Sequence, residues 1–407
     1  MARTSSAGGE GRPATASWRG VAALSFGHGA NDLYMGFLPA LLPAIIATLG
    51  LDYKGAGALV STVTLTSQLS QPALGFLGDR MSRRNLAVIA PALTAAAMSC
   101  LGWVHSYRSL VVLLIIGSMA SSLFHPHGAA LVNMVARARG SVAMSLFTAG
   151  GNIGFGLGSL LAAAVVSHLG FGSIWITVPV GFGAAAFLVS AIPRAAERHD
   201  RARHATMGAP PSRWRVWLVV LFLVVMLRAA TATAFTTFVP VLMERRGEAL
   251  LLGGWAIFGF SIAGAVGGFL AGRWSEAVGR RAITVAGFLL TAPAFYLFLH
   301  SSGALSALLL FLTGACLFSA LPINIVTGQE LVPRHASTVS GIIMGAAWGI
   351  GGLGATALGA IADHWAVGLG DVTGLTRALE LAPLAALAAA ALSLALPDRA
   401  PTATESR

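Results

Sequence analysis

Twelve runs of mostly apolar residues, separated by short polar breaks, make up most of this sequence. An α-helix needs about 20 apolar residues to cross a bilayer, so each run can supply one crossing. Hydrophobic residues account for 56% of the chain and charged residues for only 10%. That composition excludes a soluble globular protein, with about 25% charged residues, and also a disordered chain. We predict an all-α polytopic membrane protein with 12 transmembrane helices near 19–49, 56–78, 86–104, 109–135, 141–167, 171–192, 214–243, 250–272, 281–300, 304–332, 336–362 and 374–396.

The distribution of positive charge predicts the orientation. Of the 26 Lys and Arg residues, 20 lie on the side of the two chain ends, five lie on the opposite side, and Arg228 lies within a helix. Because cytoplasmic loops carry the excess of Lys and Arg, we expect cytoplasmic N- and C-termini in the cell inner (plasma) membrane. The net charge of +11 then faces anionic lipid. The basic patches lack interleaved aromatic residues, so we expect no nucleic-acid partner.

An internal repeat divides the chain into two halves. Residues 75–84 (GFLGDRMSRR) and 272–281 (GRWSEAVGRR) align without gaps at an offset of 197 residues, with glycine, an acid and a final Arg-Arg recurring. Duplicated halves with a midplane site between them are a transporter architecture. We predict two pseudo-symmetric six-helix halves at 18–192 and 214–396, a cytoplasmic linker at 193–213, a disordered N-terminus at 1–17 and a polar tail at 397–407.

Several motifs resemble a known transporter family. The two six-helix halves and GFLGDRMSRR resemble the major facilitator superfamily and its signature loop. Within it, SFGHGANDLYMGFLPALLPAI (25–45), LFHPHGAALV (123–132), SLFTAGGNIGFGLGSLLAA (145–163) and the segment 329–364 resemble the fosmidomycin resistance protein family of drug efflux transporters. The sequence departs from that family at His127, where its members carry an acid. It also departs from the superfamily in helix 4, where the stretch 113–118 lacks the usual Arg.

Ionisable residues at membrane depth are costly and mark functional sites. Helix 1 carries His28, Asn31 and Asp32 on one face, because residues three and four apart are neighbours on a helix. Arg228 in helix 7 lies at the same depth as Asp32, and the resemblance implies that helices 1 and 7 face each other across a central cavity. We expect Asp32 to carry the proton and Arg228 to be its partner or an anchor for an anion. The alternative is a static buried ion pair.

Helix 4 and two further helices supply other candidate cavity residues. His125 lies deep in helix 4 beside Pro126, where it is expected to sense the charge of Asp32 as a proton relay or substrate ligand. The alternative is a histidine bonded to a backbone carbonyl. Gln71 and Asn152 are candidate substrate-binding residues, with hydrogen bonding inside the core as the alternative for both. The predicted substrate-binding set is therefore His28, Asn31, Asp32, Gln71, His125, Asn152 and Arg228.

The charged breaks after helices 2, 8 and 10 are candidate gates. The resemblance implies that the loop acid Asp79 locks one transport state by meeting a helix end in the other half. The predicted gating residues are Asp79, Arg80, Arg83, Arg84, Glu276, Arg280, Arg281 and Glu330. Solvated charges, or interfacial pairing in the case of Glu330, are the alternatives. Three glycine runs (150, 154, 158; 264, 268, 272; 341, 345, 349) allow close helix contact, expected at moving interfaces.

These features predict a monomeric secondary active transporter whose partners are protons, lipid and a small-molecule substrate. The first hypothesis is proton-coupled efflux of a drug-like or small organic anion by alternating access. The alternatives are an uptake symporter for a small organic anion, a copper or metal transporter using His28, His125 and His127 with Met35 or Met119, and a transporter-like sensor. Hydrolase and nucleotide-binding motifs are absent. We therefore expect no enzyme. Cys100 and Cys316 give no metal-ligand spacing, and we expect no cofactor and no resident metal.

Overall fold

The computed structural model describes residues 17–136, 140–192, 213–332, 339 and 341–398, and no strand occurs among them. Twelve helical segments in these ranges match the twelve apolar runs, and ten of them are long and apolar enough to cross a membrane. The prediction of an all-α membrane protein is therefore confirmed. The predicted N-terminus 1–17, linker 193–213 and tail 397–407 lie outside the described residues, apart from Ser17, Arg213, Pro397 and Asp398.

The first half contains six helical segments, several of which are interrupted by 3₁₀ turns. They are α1 (Trp18–Leu49, with a 3₁₀ turn at Tyr34–Gly36), α2 (Tyr53–Arg80), α3 (Arg83–Trp103, ending in the 3₁₀ turn Ser99–Trp103), α4 (Tyr107–Ala136), α5 (Gly140–Leu169) and α6 (Phe171–Ala191, beginning with the 3₁₀ turn Phe171–Thr177).

The second half repeats this arrangement, and its eleventh segment is broken. The segments are α7 (Trp214–Arg245), α8 (Leu250–Val278), α9 (Arg280–Leu299), α10 (Gly303–Leu331), α11 (a π turn at Gly341–Ala346 followed by helices Ala347–Gly352 and Gly354–Leu369) and α12 (Asp371–Ser393). A π turn inside a helix is frequently found at a functional site.

Successive helices run in opposite directions, so the bundle has two ends. The end that carries the first and last described residues is called the terminal end. The opposite end, reached by the breaks after α1, α3, α5, α7, α9 and α11, is called the distal end.

The glycine runs pack helices at different interfaces from those expected. A side chain at Gly150, Gly154 or Gly158 on α5 would overlap backbone atoms of α1, so this run joins two helices of the same half. Gly264 on α8 contacts Phe318 of α10, again within one half. In the third run, Gly345 and Gly349 on α11 face α2 across the two halves. The expectation of an interface between the halves is wrong for the α5 run, because its close contacts are with α1 of the same half.

Candidate functional site

Three titratable side chains from α1 and α4 meet within the N-terminal half. The Asp32 carboxylate presents Oδ2 to Nε2 of His28 at 3.1 Å and Oδ1 to Nε2 of His125 at 3.4 Å. The two imidazole rings lie edge to face, with ring centres 5.1 Å apart. His28 also stacks on Phe147, with centres at 4.1 Å. We call His28, Asp32 and His125 the His–Asp–His cluster.

Backbone carbonyls fix which nitrogen of each histidine faces the acid. Nδ1 of His28 lies 2.7 Å from the carbonyl oxygen of Phe147, and Nδ1 of His125 lies 3.1 Å from that of Ser121. A carbonyl only accepts, so both Nδ1 atoms donate a proton to it. Each Nε2 of a neutral ring would then point a lone pair at the carboxylate. The cluster therefore requires a positive charge between its rings and its acid when Asp32 is ionised.

Two neighbouring residues shape the cluster. Asn31 is fully buried and donates from Nδ2 to Asp32 Oδ1 at 3.1 Å and to Ser121 Oγ at 2.9 Å. Its own Oδ1 accepts from Thr94 Oγ1 at 3.1 Å. On the other side, a Cβ added at Gly151 would lie 2.6 Å from His28 Cε1 and 2.9 Å from Asp32 Oδ2, so any larger residue here would have to displace these side chains. Asn31 thus holds Asp32 in place, and its burial keeps it from a solute in this conformation.

The cluster is partly open to its surroundings and has the donors of a metal site. The side chains of Asp32 and His125 are 17% and 27% exposed, whereas His28 is 9% exposed. One ligand atom from each of the three residues lies within 4.8 Å of the others. The copper hypothesis included His127, which is 1% exposed and does not belong to this group. Asp32 provides the third ligand atom instead of His127, because residues 28, 32 and 125 come together only in the folded bundle.

Arg228 does not make the predicted pair with Asp32 among the described residues. Its side chain is fully buried on α7, and none of its three guanidinium nitrogens has a hydrogen-bond partner there. Its guanidinium carbon instead lies 4.4 Å from the ring centre of Trp348 and 5.6 Å from that of Phe318. The expectation of a direct ion pair is wrong in this conformation, because Asp32 faces the two histidines of its own half and aromatic faces of α10 and α11 hold Arg228.

The remaining candidate cavity residues lie outside the cluster. Gln71 is partly exposed and donates from Nε2 to Oε1 of Gln68 at 2.9 Å, so it bonds within α2. Gln68 in turn packs on Gly349 of α11. Asn152 is partly exposed and follows Gly151 along α5. Among the described residues, no hydrogen bond or ion pair links Gln71 or Asn152 to the His–Asp–His cluster.

The predicted gating residues at the terminal end make contacts within each half. Arg84 is buried and donates to the carbonyls of Ile192 and Val189 at the end of α6. Arg280 and Glu330 form a two-pronged ion pair, with one N–O distance of 3.0 Å. Arg280 therefore supplies an interfacial partner for Glu330 within the second half.

The other gating candidates are less informative. The backbone N–H of Arg281 donates to Asp398 at 3.0 Å, so Asp398 caps the start of α9. Arg83 is partly exposed at the first residue of α3. The side chains of Asp79, Arg80 and Glu276 fall outside the described part of the structure.

The distal end carries a polar contact between the halves that the sequence did not indicate. Asp363 of α11 accepts from the backbone N–H groups of Tyr53 at 2.9 Å and Lys54 at 2.8 Å, at the start of α2. The Tyr53 hydroxyl donates to Asp371 at 2.6 Å, and Arg245 lies 3.4 Å from the same carboxylate. We call Tyr53, Lys54, Asp363 and Asp371 the distal latch. The signals available in the sequence were the acids themselves, Asp363 near the end of α11 and Asp371 at the start of α12.

Comparison with known proteins gives a consistent result. The model of the Major Facilitator Superfamily matches residues 24–356 and 221–406. The chain is 30% identical to the fosmidomycin resistance protein of Escherichia coli (strain K12), over 86% of this chain and 87% of that protein. It is 29% identical to the chloramphenicol resistance protein of Streptomyces lividans, covering 89% and 91% of the two chains.

Solved structures show the same fold at low identity. A bacterial homolog of the human lysosomal transporter Spinster, in an inward-facing and occupied conformation, superposes with a TM-score of 0.77 at 15% identity, covering 92% of this chain and 95% of that one. The nucleoside transporter NupG superposes with a TM-score of 0.70 at 16% identity, covering 93% and 98%.

Proposed function

The chain belongs to the major facilitator superfamily, and we propose that it is a proton-coupled exporter of a drug-like or small organic anion that works by alternating access. It is a multi-pass membrane transporter and not an enzyme. Two similar proteins are named for resistance to fosmidomycin and to chloramphenicol, which supports export of drug-like compounds.

The His–Asp–His cluster is the observation that carries proton coupling. Both Nδ1 atoms are committed to carbonyls, so protons at the two Nε2 atoms are what make the contacts with Asp32 attractive. Loss of those protons leaves lone pairs facing a carboxylate at 3.1 and 3.4 Å. The cluster then favours a different arrangement of α1 and α4. A protonation change that alters the preferred arrangement can drive a switch between two states.

Arg228 supports an anionic substrate. A buried charge without a hydrogen-bonded partner is costly, and all three of its nitrogens lack such a partner among the described residues. A guanidinium forks onto a carboxylate or phosphonate with two parallel hydrogen bonds. We propose that an oxyanion group of the substrate supplies that partner.

The charge distribution and the distal latch support an orientation in the membrane and a conformational state. The excess of Arg at the terminal end supports a cytoplasmic location for both termini in the inner (plasma) membrane. The distal latch would then close the outer side, and the conformation described above would be the inward-facing one. We propose that the unit of transport is a monomer.

The test uses inside-out membrane vesicles energised to an acidic lumen, with a pH-sensitive dye. Fosmidomycin, chloramphenicol and a panel of small organic anions are added in turn. We expect a substrate to collapse the gradient with the wild-type protein and with Asp52→Asn, an exposed acid outside the cluster, and not with Asp32→Asn.

Two results would count against this assignment. Full coupling in Asp32→Asn vesicles would remove the cluster from the mechanism. Accumulation of the same anion by right-side-out vesicles under an inward proton gradient would identify an uptake symporter instead.

A further inference from the structure

We propose that the His–Asp–His cluster binds a transition-metal dication, with Zn²⁺ as the best fit, through Nε2 of His28, Nε2 of His125 and the carboxylate of Asp32. Imidazole nitrogen and carboxylate oxygen are the ligands that Zn²⁺ takes in sites with three protein ligands and one open position. Sequence spacing hides the set, because two ligands come from α1 and the third comes from α4.

The two nitrogen–oxygen distances match those between ligands of one metal ion. Two ligands at a tetrahedral angle on bonds of about 2.1 Å lie about 3.4 Å apart, and at a right angle about 3.0 Å apart. The N–O distances in the cluster are 3.1 and 3.4 Å. All three ligand atoms lie within 4.8 Å of one another. Binding of the ion would bring the ligand atoms to about 2.1 Å from one centre.

The surroundings of the ligands provide a second, independent observation. Metal-bound histidines nearly always donate their other ring N–H to a carbonyl or carboxylate, which fixes the ring and the free nitrogen. Here Nδ1 of His28 donates to the Phe147 carbonyl and Nδ1 of His125 to the Ser121 carbonyl. Asn31 likewise holds Asp32 through Oδ1. Both free Nε2 atoms therefore already face the same carboxylate.

Charge and space also favour a dication. The cluster needs positive charge between its rings and its acid, and one Zn²⁺ beside one carboxylate supplies a net charge of about +1. The absence of a side chain at Gly151 leaves space next to His28 and Asp32. The partial exposure of Asp32 and His125 leaves the open coordination position accessible. The ion would occupy the positions that protons take in the transport cycle.

The test of binding uses purified protein carrying an affinity tag without histidine, titrated with Co²⁺ as a spectroscopic substitute for Zn²⁺. We expect one Co²⁺ per chain, a visible absorption band of low-symmetry coordination, and its loss on adding Zn²⁺. His28→Gln, Asp32→Asn and His125→Gln should each weaken binding about 100-fold or more, beyond the loss typical of outer-shell changes. His168→Gln, at an exposed position on α5, should bind as the wild type does.

Binding and transport are separated by the design. The titration needs no gradient, so it stays valid if the protein is not proton-coupled, and thermal melting of each variant distinguishes lost ligands from lost fold. Absent binding, or binding that the three variants leave unchanged, would overturn the site. A second arm rests on the proposed function, and Zn²⁺ should inhibit substrate-driven gradient collapse in vesicles. Time-dependent accumulation of Zn²⁺ inside the vesicles would show that the protein transports the metal, and it would overturn the expectation that bound Zn²⁺ inhibits transport.

Discussion

The distal latch gives a quantitative prediction about the balance between transport states. Asp363 accepts two backbone hydrogen bonds, from Tyr53 and Lys54, that cross between the halves at the start of α2. Hydrogen bonds to a charged group contribute about 1.5–3 kcal/mol each, and less where water can replace them. Lys54 is exposed, so we expect Asp363→Ala to cost the closed state about 1–2 kcal/mol in total. That is roughly a 5- to 30-fold shift toward the distally open state.

The shift can be measured as a distance. Spin labels are placed at Thr48 and Val367, exposed positions near the distal ends of α1 and α11, in a background lacking Cys100 and Cys316. Pulsed electron paramagnetic resonance on the protein in nanodiscs should show a long-distance population that grows in Asp363→Ala.

A matched control lies at the start of α2, the helix end that Asp363 also contacts. Asp52 accepts from the N–H of Gly55 at 2.7 Å, so it caps α2 without crossing to the other half. Asp52→Ala should therefore leave the distance distribution unchanged, and Asp363→Asn, which keeps one acceptor oxygen, should give an intermediate shift. If Asp363→Ala and Asp52→Ala gave the same distribution, the crossing bonds would not hold the distal end closed.

Two further predictions concern the sites in each half. Gly151→Ala should force His28 and Asp32 apart at a cost of about 1–3 kcal/mol and strongly reduce transport. Gly183→Ala, with open space around it, should leave transport unchanged. Equal transport rates of the two variants in vesicles would refute the steric argument. Arg228→Leu should raise the melting temperature, because it removes a buried charge without a hydrogen-bond partner among the described residues, while abolishing transport of anions; a lower melting temperature would contradict this reading.

The helical architecture was predictable because membrane spans have a strong one-dimensional signal. Most apolar runs are helical segments within about three residues of their predicted bounds, and α1 is one span despite the turn at Tyr34–Gly36. The exceptions are α8, which extends six residues further to Val278, and α11, which ends seven residues further on at Leu369. The π turn at Gly341–Ala346 was not predictable, since it depends on how α11 packs rather than on local composition. The interface assignment of Gly150, Gly154 and Gly158 failed for the same reason, because spacing allows close contact without naming the partner helix.

In the candidate site, the sequence predicted contacts between residues of one helix more fully than contacts between different helices. His28 and Asp32 are four residues apart on α1, and their contact follows from helix geometry. His125 was expected to respond to Asp32, and the two lie 3.4 Å apart. The role of Gly151 and the distal latch involve atoms from helices far apart in sequence. Nothing in a single sequence gives the relative rotation of those helices.

The separation of Asp32 from Arg228 is consistent with transport of two different species. A direct ion pair would satisfy both groups and leave neither with a reason to bind a ligand. In this conformation the acid faces two imidazoles in one half, and the guanidinium rests on Trp348 in the other half. Each half therefore keeps one charged group that can bind a different ligand. A cation can bind at the His–Asp–His cluster, and an anion can bind at Arg228. In the proposed alternating-access cycle, movement of the two halves can then expose either group to its ligand. No strong buried pair between the two groups has to be broken first.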